Sequence, residues 1–165
     1  GLGRGTTLTV RLPVTATRPR PSPRAGMGEL SFHFPPEVSG LRLLVVDDEA
    51  DTRELVRSWL EQCGAHVQTA ASAAAGLEVL RRARPDILIS DLAMPDEEGY
   101  RLIHALRALP EEEGGQTPAV ALTASVRSEE RIRALMAGFK ANVPKPLDAA
   151  ELLAVIASVA PAKRR

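Results

Sequence analysis

The chain has 165 residues, of which 44% are hydrophobic and 25% charged, and this composition indicates one soluble globular domain with room for tails. No apolar run approaches the roughly 18 residues that a membrane-spanning helix needs. The N-terminus lacks an initiator Met and the layout of a signal peptide, so we expect a cytoplasmic chain that is a piece of something longer. The single cysteine, Cys63, excludes an internal disulfide framework and a zinc site built from several thiolates.

The net charge of zero conceals an uneven distribution of charge along the chain. Residues 1–40 carry five Arg and two Glu, residues 41–160 carry 13 basic and 19 acidic side chains, and residues 161–165 carry one Lys and two Arg. A DNA-binding domain concentrates its basic residues on one folded face, whereas the predicted body here is acidic. We therefore expect no nucleic-acid binding, no membrane contact and a solvated basic tail.

The first 40 residues divide into a short strand and a linker. Alternating polar and apolar residues at 6–13 follow three early glycines and predict a loop and then a strand. Residues 15–40 contain five prolines and no apolar period, which is typical of a linker. Residues 1–13 resemble the end of a histidine-kinase ATP-binding domain, so residues 1–14 are interpreted as a remnant of one. The asparagine box of that family is absent, so no ATP binding is expected, and an incidental N-terminus is the alternative. His33 lies in the linker and is no catalytic candidate.

The globular part opens with Leu41–Val46, in which five of six residues are apolar. A run this short suits a central strand of a parallel sheet that is covered on both faces. Three carboxylates, Asp47, Asp48 and Glu49, follow without a gap. Adjacent carboxylates repel one another, so a fold that keeps them together usually supplies a cation or a shared proton. The carboxyl end of a central parallel strand is where α/β folds bind ligands.

Four further strands and five helices alternate after this strand. The helices carry apolar residues at three- and four-residue spacing, with Leu55 and Ala75 assigned to inward faces, and Ser72, Ser128 and Asp148 are predicted N-caps. Strict alternation of strand and helix implies a parallel sheet with right-handed crossovers, but periodicity leaves the strand order open. The strands are predicted at 65–69, 86–90, 119–122 and 141–143, and the helices at 51–63, 73–84, 98–109, 128–137 and 149–159.

Four of the five predicted strands end in polar side chains: Asp47 with Asp48, then Asp91, Thr123 and Lys145. Because parallel strands end at one edge of a sheet, these groups can converge although they are far apart in sequence. Carboxylates that hold a hard cation, a further carboxylate, a hydroxyl and an ammonium together suit phosphoryl transfer. Mg²⁺ is the expected cation, because it prefers oxygen ligands.

Four short motifs lie at these strand ends: Val-Val-Asp-Asp-Glu at 45–49, Asp-Leu-Ala-Met-Pro at 91–95, Leu-Thr-Ala at 122–124 and Pro-Lys-Pro at 144–146. Together they resemble the motifs of response-regulator receiver domains of two-component signalling. The resemblance covers residues 41–160 and implies a flavodoxin-like, doubly wound α/β fold with five parallel strands in the order 2-1-3-4-5 and five helices. It also implies a cis peptide bond between Lys145 and Pro146.

By this resemblance, Asp91 accepts a phosphoryl group from a phosphohistidine on a histidine kinase or a histidine phosphotransfer domain. Asp47 and Asp48, with Asp91 and the backbone carbonyl of Ala93, would hold Mg²⁺. Thr123 would donate its hydroxyl to the phosphoryl group, and Lys145 would pair with Asp91 and the added phosphate. Each residue also has a plainer interpretation, such as a helix cap for Asp48 or a solvated charge for Lys145. Whether the domain forms a homodimer stays open.

One position departs from the family pattern, because Asn142 stands where receivers usually carry an aromatic ring that takes part in the switch. The leading hypothesis is a phosphoacceptor receiver at the C-terminus of a hybrid sensor histidine kinase, with self-phosphorylation and slow dephosphorylation as its only chemistry. The alternative is a receiver that docks on a partner independently of phosphorylation, for which Asn142 is the support. An aspartyl phosphatase is disfavoured, because Asp91 has no second carboxylate two residues later. A flavin-binding fold is disfavoured because no phosphate-binding loop follows the first strand.

Overall fold

The computed structural model describes residues 35–124 and 127–161, so the predicted strand at 6–13, His33 and the last four residues lie outside the described part. Five parallel strands form one sheet in the order β2-β1-β3-β4-β5, flanked by five helices. The predicted fold class, the parallel sheet and the strand order implied by the resemblance are thereby confirmed. The strands are β1 Arg42–Val46, β2 His66–Ala70, β3 Ile87–Asp91, β4 Ala119–Thr123 and β5 Ala141–Pro144; the helices are α1 Ala50–Gln62, α2 Ala73–Ala83, α3 Glu98–Arg107, α4 Ser128–Ala137 and α5 Ala149–Val159.

The hydrophobic core has two layers, one on each face of the sheet. Successive strand residues point to opposite faces, so Leu43 and Val45 pack in one layer with α1 and α5, while Leu44 and Val46 pack in the other with α2, α3 and α4. All five residues of β3 and of β4 are buried. Strands covered on both faces read as continuous apolar runs, which is why the sequence located them well.

Three details of the predicted helices were wrong. Leu55, assigned to the inward face of α1, has 46% of its surface exposed, and Ala75 of α2 is also exposed. Each helix buries only a narrow stripe, and the inward positions are Val56 with Leu60 in α1 and Gly76 with Leu80 in α2.

The third error concerns a helix cap. Ser128 was predicted as the N-cap of α4 but is its first helical residue, and Arg127 occupies the cap position without a side-chain cap hydrogen bond. The other two caps are confirmed. The backbone N–H of Ala75 donates to Ser72 Oγ at 3.3 Å, and that of Glu151 donates to Asp148 Oδ1 at 2.9 Å.

The last residues of the predicted linker pack against the domain. Residues 36–40 form turns, and Val38 is fully buried in the core layer of α1 and α5. The N–H of Gly40 donates to the carbonyl of Gly64 at 2.8 Å, which ties this turn to the end of α1. In the described part of the chain, no helix is long and apolar enough to cross a membrane.

Candidate functional site

The polar residues at the strand ends lie along one edge of the sheet. β1 pairs with β3 with Val46 opposite Ser90, so Asp47 and Asp91 follow matched positions on neighbouring strands. β4 pairs with β5 with Thr123 opposite Pro144, which places Thr123 beside the residue that precedes Lys145. The strand order therefore brings together groups that are up to 98 positions apart in the sequence.

Three carboxylates converge at this edge. Asp47, Asp48 and Asp91 each offer a carboxylate oxygen, and these oxygens lie within 4.8 Å of one another. Asp47 is fully buried and Asp91 is 3% exposed, whereas Asp48 is exposed. The cluster is therefore closed by the protein beneath and open to solvent on the side of Asp48.

Lys145 joins the two buried carboxylates. Its Nζ lies 2.9 Å from Asp91 Oδ2 and 3.1 Å from Asp47 Oδ2. The lysine follows β5 directly, and its backbone N–H donates to the carbonyl of Thr123 at 2.7 Å. The peptide bond between Lys145 and Pro146 is cis, as the resemblance implied.

Backbone donors orient the same two carboxylates. The N–H of Glu49 donates to Asp47 Oδ1 at 2.8 Å, and the N–H of Ala93 donates to Asp91 Oδ1 at 3.0 Å. In each Asp, one oxygen is thus held by the backbone two residues later and the other by Lys145. A carboxylate fixed through both oxygens has little rotational freedom, so the protein itself holds these two side chains in place.

The charges of the three carboxylates and of Lys145 do not balance one another. Burial raises the pKa of Asp47 above its ordinary value, although the N–H of Glu49 and the ammonium of Lys145 act in the opposite direction. Burial alone would lower the pKa of Lys145, but the hydrogen bonds and charges of Asp91 and Asp47 outweigh it and raise that pKa. Three ionised carboxylates with one ammonium leave two negative charges. A divalent cation with oxygen ligands fits that deficit and that donor set.

The other predicted site residues lie close to this cluster in the fold. Thr123 ends β4, is 4% exposed and shares a backbone hydrogen bond with Lys145. Ala93 is exposed, and its backbone N–H donates a hydrogen bond to the carboxylate of Asp91. Asn142 is half-buried on β5, opposite Ala121.

The sequence assigned no role at the site to three residues that position its surroundings. Arg53, in the first turns of α1, donates from Nη1 to the carbonyl of Asp47 at 2.6 Å. Glu98 at the start of α3 accepts from the N–H of Ala73 at 2.8 Å, which ties the beginnings of α2 and α3 together. A Cβ on Gly99 would overlap the carbonyl oxygen of Asp91, so only glycine permits this approach of α3 to the site. Glu98 and Gly99 had a sequence signal as the residues that open the predicted helix, whereas Arg53 had none.

Comparisons with known proteins agree with this architecture. The sequence profile of the response regulator receiver domain matches residues 43–157. The "uncharacterized 14.6 kDa protein in sodA1 3′region" of Leptolyngbya boryana is 46% identical over 114 residues, covering 69% of this chain and 86% of that protein. Hybrid signal transduction histidine kinase D of Dictyostelium discoideum is 36% identical over 121 residues, covering 70% of this chain but only 8% of the kinase.

A solved structure gives the same result. The chemotaxis response regulator CheY4 of Vibrio cholerae superposes with a TM-score of 0.67 at 29% identity, covering 73% of this chain and 99% of CheY4. The chain spans about half the length of several curated response regulators that it matches. The matching profile spans more than half of the sequence, and the fold and the acidic edge agree with it. The chain therefore belongs to the response regulator receiver domain family of two-component signalling.

Proposed function

We propose that this receiver accepts a phosphoryl group on Asp91 from a phosphohistidine, with Mg²⁺ bound at the acidic edge. The observation that carries the proposal is the arrangement of Asp91, which lies with Asp47 and Asp48 in a cluster of carboxylate oxygens within 4.8 Å, while Lys145 Nζ is 2.9 Å from its Oδ2. A nucleophilic carboxylate, acidic partners and an ammonium are the groups that phosphoryl transfer requires. The phosphodonor would be a histidine kinase or a histidine phosphotransfer domain.

The transfer is a substitution at phosphorus. A carboxylate oxygen of Asp91 forms the new bond to phosphorus, the bond between phosphorus and the imidazole nitrogen breaks, and the imidazole keeps the electron pair. Lys145 is close enough to Asp91 to pair with a phosphoryl oxygen after transfer, and Thr123 at the end of β4 would donate its hydroxyl to another. Because Asp91 is only 3% exposed, the donor must approach from the open side next to Asp48.

The residues present fit a magnesium ion. Asp47, Asp48 and Asp91 supply carboxylate oxygens, and the carbonyl of Ala93, two residues after Asp91, is the further protein ligand in this proposal. When bound, the cation would offset the charge of the carboxylates and of the phosphoryl oxygens. Lys145 supplies one positive charge whether or not the cation is bound, so the charge of the cation adds to that of the ammonium and does not replace it.

The experiment that tests this function is intact-mass measurement after treatment with acetyl phosphate and Mg²⁺. We expect the wild type to gain the mass of one phosphoryl group and Asp91→Asn to gain none. Asp51→Asn, which removes an exposed carboxylate from α1, is the matched control and should be phosphorylated like the wild type. Removal of Mg²⁺ with a chelator should abolish uptake. Equal uptake by Asp91→Asn and the wild type would refute Asp91 as the acceptor.

A second candidate function is a docking module that acts without phosphorylation. It is supported by Asn142, which replaces the aromatic ring that receivers usually carry at this position of β5. In this case the carboxylates would bind the cation, but phosphorylation of Asp91 would not change the exposed surfaces of the domain. Failure of phosphorylation in the mass experiment, with Mg²⁺ binding retained, would favour this alternative.

We also propose that the receiver comes from a hybrid sensor histidine kinase and acts in the cytoplasm. Two observations support this origin: the match to a hybrid kinase of Dictyostelium discoideum, and the resemblance of residues 1–13 to the end of a kinase ATP-binding domain. The phosphohistidine would then lie in the same polypeptide or on a separate phosphotransfer protein.

A further inference from the structure

Large apolar side chains are exposed at two places in the described part of the chain. α4 carries three of them, Ile132 at 55%, Leu135 at 48% and Met136 at 83%, and α1 carries Leu55 at 46%. A single exposed leucine is ordinary on a protein surface. Three on one ten-residue helix form a patch, and such patches commonly mark an interaction site.

Two of the three residues on α4 line a groove between α3 and α4. This α3–α4 groove has a volume of about 480 Å³, and its apolar lining is Tyr100, Ile132, Met136 and Ala137. The guanidinium of Arg133 lies 4.4 Å from the centre of the Tyr100 ring, a cation–π contact that joins the two helices. Leu135 does not line the groove.

The groove and the surface around Leu55 have opposite charge. Arg101 and Arg133 lie on the groove together with His104 and one carboxylate, Glu129. On α1, Asp51 lies one turn before Leu55 on the same face, and Glu54 is adjacent; both are exposed.

The carboxylate of Glu54 is already close to a cation, because it lies 3.7 Å from Arg57. With 73% of the Glu54 side chain exposed, this ion pair is weak and easily exchanged. Leu55 is therefore an apolar anchor flanked by carboxylates, and the α3–α4 groove is an apolar slot flanked by guanidinium groups.

We propose that the α3–α4 groove of one copy binds α1 of a second copy, with Leu55 inserted beside Met136 and Ile132. The arrangement of charge favours this head-to-tail contact over symmetric ones. If two grooves faced each other, the guanidinium groups of Arg101 and Arg133 would lie against the same groups of the second chain and repel them. If two α1 helices faced each other, the carboxylates of the two chains would repel one another in the same way. The contact uses different surfaces on the two partners, so it is heterologous and can continue to a third copy. This inference is independent of the proposed phosphorylation.

Sedimentation of the unphosphorylated chain over a wide concentration range tests the contact. We expect association that weakens with added salt, because exposed charges are screened, and that grows beyond a dimer at high concentration. Leu55→Asp and Met136→Asp should each raise the dissociation constant by about tenfold or more. Leu135→Asp is the matched control on the same helix outside the groove and should associate like the wild type. No association at any concentration would overturn the proposal.

Mixing the two disruptive variants separates this contact from a symmetric one. The Leu55→Asp variant keeps an intact groove and the Met136→Asp variant keeps an intact α1, so an equimolar mixture should form a heterodimer that does not grow further. A symmetric contact through α4 predicts no recovery on mixing, no effect of Leu55→Asp and a strong effect of Leu135→Asp, and any of these results would overturn the proposal. Circular dichroism of each variant verifies that the substitutions leave the domain folded.

Discussion

Replacing Lys145 with Met removes the cation that joins the two buried carboxylates while keeping a side chain of similar length. The Nζ of Lys145 lies 2.9 Å from Asp91 and 3.1 Å from Asp47, whose side chains are 4% and 0% exposed. Removing one partner of a buried ion pair costs about 3–5 kcal/mol, because the remaining charge stays desolvated. The Lys145 side chain is 21% exposed, so we expect a somewhat smaller loss, about 2–4 kcal/mol. That is a large part of the roughly 5–15 kcal/mol by which single domains are stable.

Urea unfolding followed by the fluorescence of Trp59 measures this loss. Trp59 packs against the core layer of α1 and α5, so its emission reports on the folded state, and it is the only tryptophan in the chain. Lys140→Met is the matched control, because Lys140 is exposed and lies directly before β5. We expect this control to change the free energy of unfolding by about 0.5 kcal/mol or less.

Mg²⁺ should reduce the loss of stability in Lys145→Met, because it supplies positive charge in place of the missing ammonium. A cation that binds only the folded state at about 100 times its dissociation constant stabilises it by about 2.7 kcal/mol. Lys145→Met has one positive charge fewer beside the same carboxylates, so Mg²⁺ should stabilise it more than it stabilises the wild type. A loss below about 0.5 kcal/mol without Mg²⁺, or a loss that Mg²⁺ leaves unchanged, would refute this account of the site.

Three further predictions concern charge and packing. Burial raises the pKa of Asp47 above its ordinary value of 3.8, so its carboxylate costs stability as the pH rises above that ordinary value. Asp47→Asn should therefore stabilise the metal-free domain at neutral pH and weaken Mg²⁺ binding, and destabilisation in urea would contradict this. The pKa of Lys145 is raised above its ordinary value of 10.5, so the stability that Lys145 contributes is complete below that value and is lost as the pH rises through the raised pKa of the folded state. In Lys145→Met the midpoint of urea unfolding should therefore fall less with pH in the alkaline range. An unchanged dependence on pH would exclude Lys145 as its source. The Arg107 guanidinium donates four hydrogen bonds of 2.7–3.1 Å to the carbonyls of Gly115, Thr117 and Gly138. Arg107→Met should lower the free energy of unfolding in urea by about 2–3 kcal/mol, and Arg107→Lys should recover only part of it because an ammonium lacks the planar fork; full recovery would argue against these four bonds.

β3 and β4 could be predicted because they are buried at every position. Their sequences are therefore mostly apolar, and the polar residues that end them, Asp91 and Thr123, mark the edge of the sheet. The convergence of Asp47, Asp91 and Lys145 also followed from the sequence, because strict alternation with helices forces parallel strands to end at one edge. The strand order came only from the resemblance, since no local pattern distinguishes neighbours in a sheet.

Side chains whose role depends on a distant neighbour could not be predicted. Arg107 looks like an ordinary surface residue of α3, but its partners lie in two loops that follow α3 and α4. The inward position of Gly76 depends on the approach of β1, because a Cβ there would lie 2.9 Å from Val46 Cγ2. Leu55 was assigned to the core because spacing defines an apolar face without giving its width. Each case requires three-dimensional distances, which periodicity does not contain.

The imbalance of charge at the acidic edge connects the site to the rest of the domain. α1 begins directly after Glu49, and α4 begins five positions after Thr123, so the two helices with exposed apolar side chains both start at this edge. The carboxylate of Asp47 is held by the N–H of Glu49, directly before α1, and that of Asp91 by the N–H of Ala93, in the loop that leads into α3. A phosphoryl group or a cation would change the net charge beside these two loops, so we expect the beginnings of α1 and α3 to respond first. Asn142 lies on β5, in neither loop, so this expected response does not involve an aromatic ring at that position.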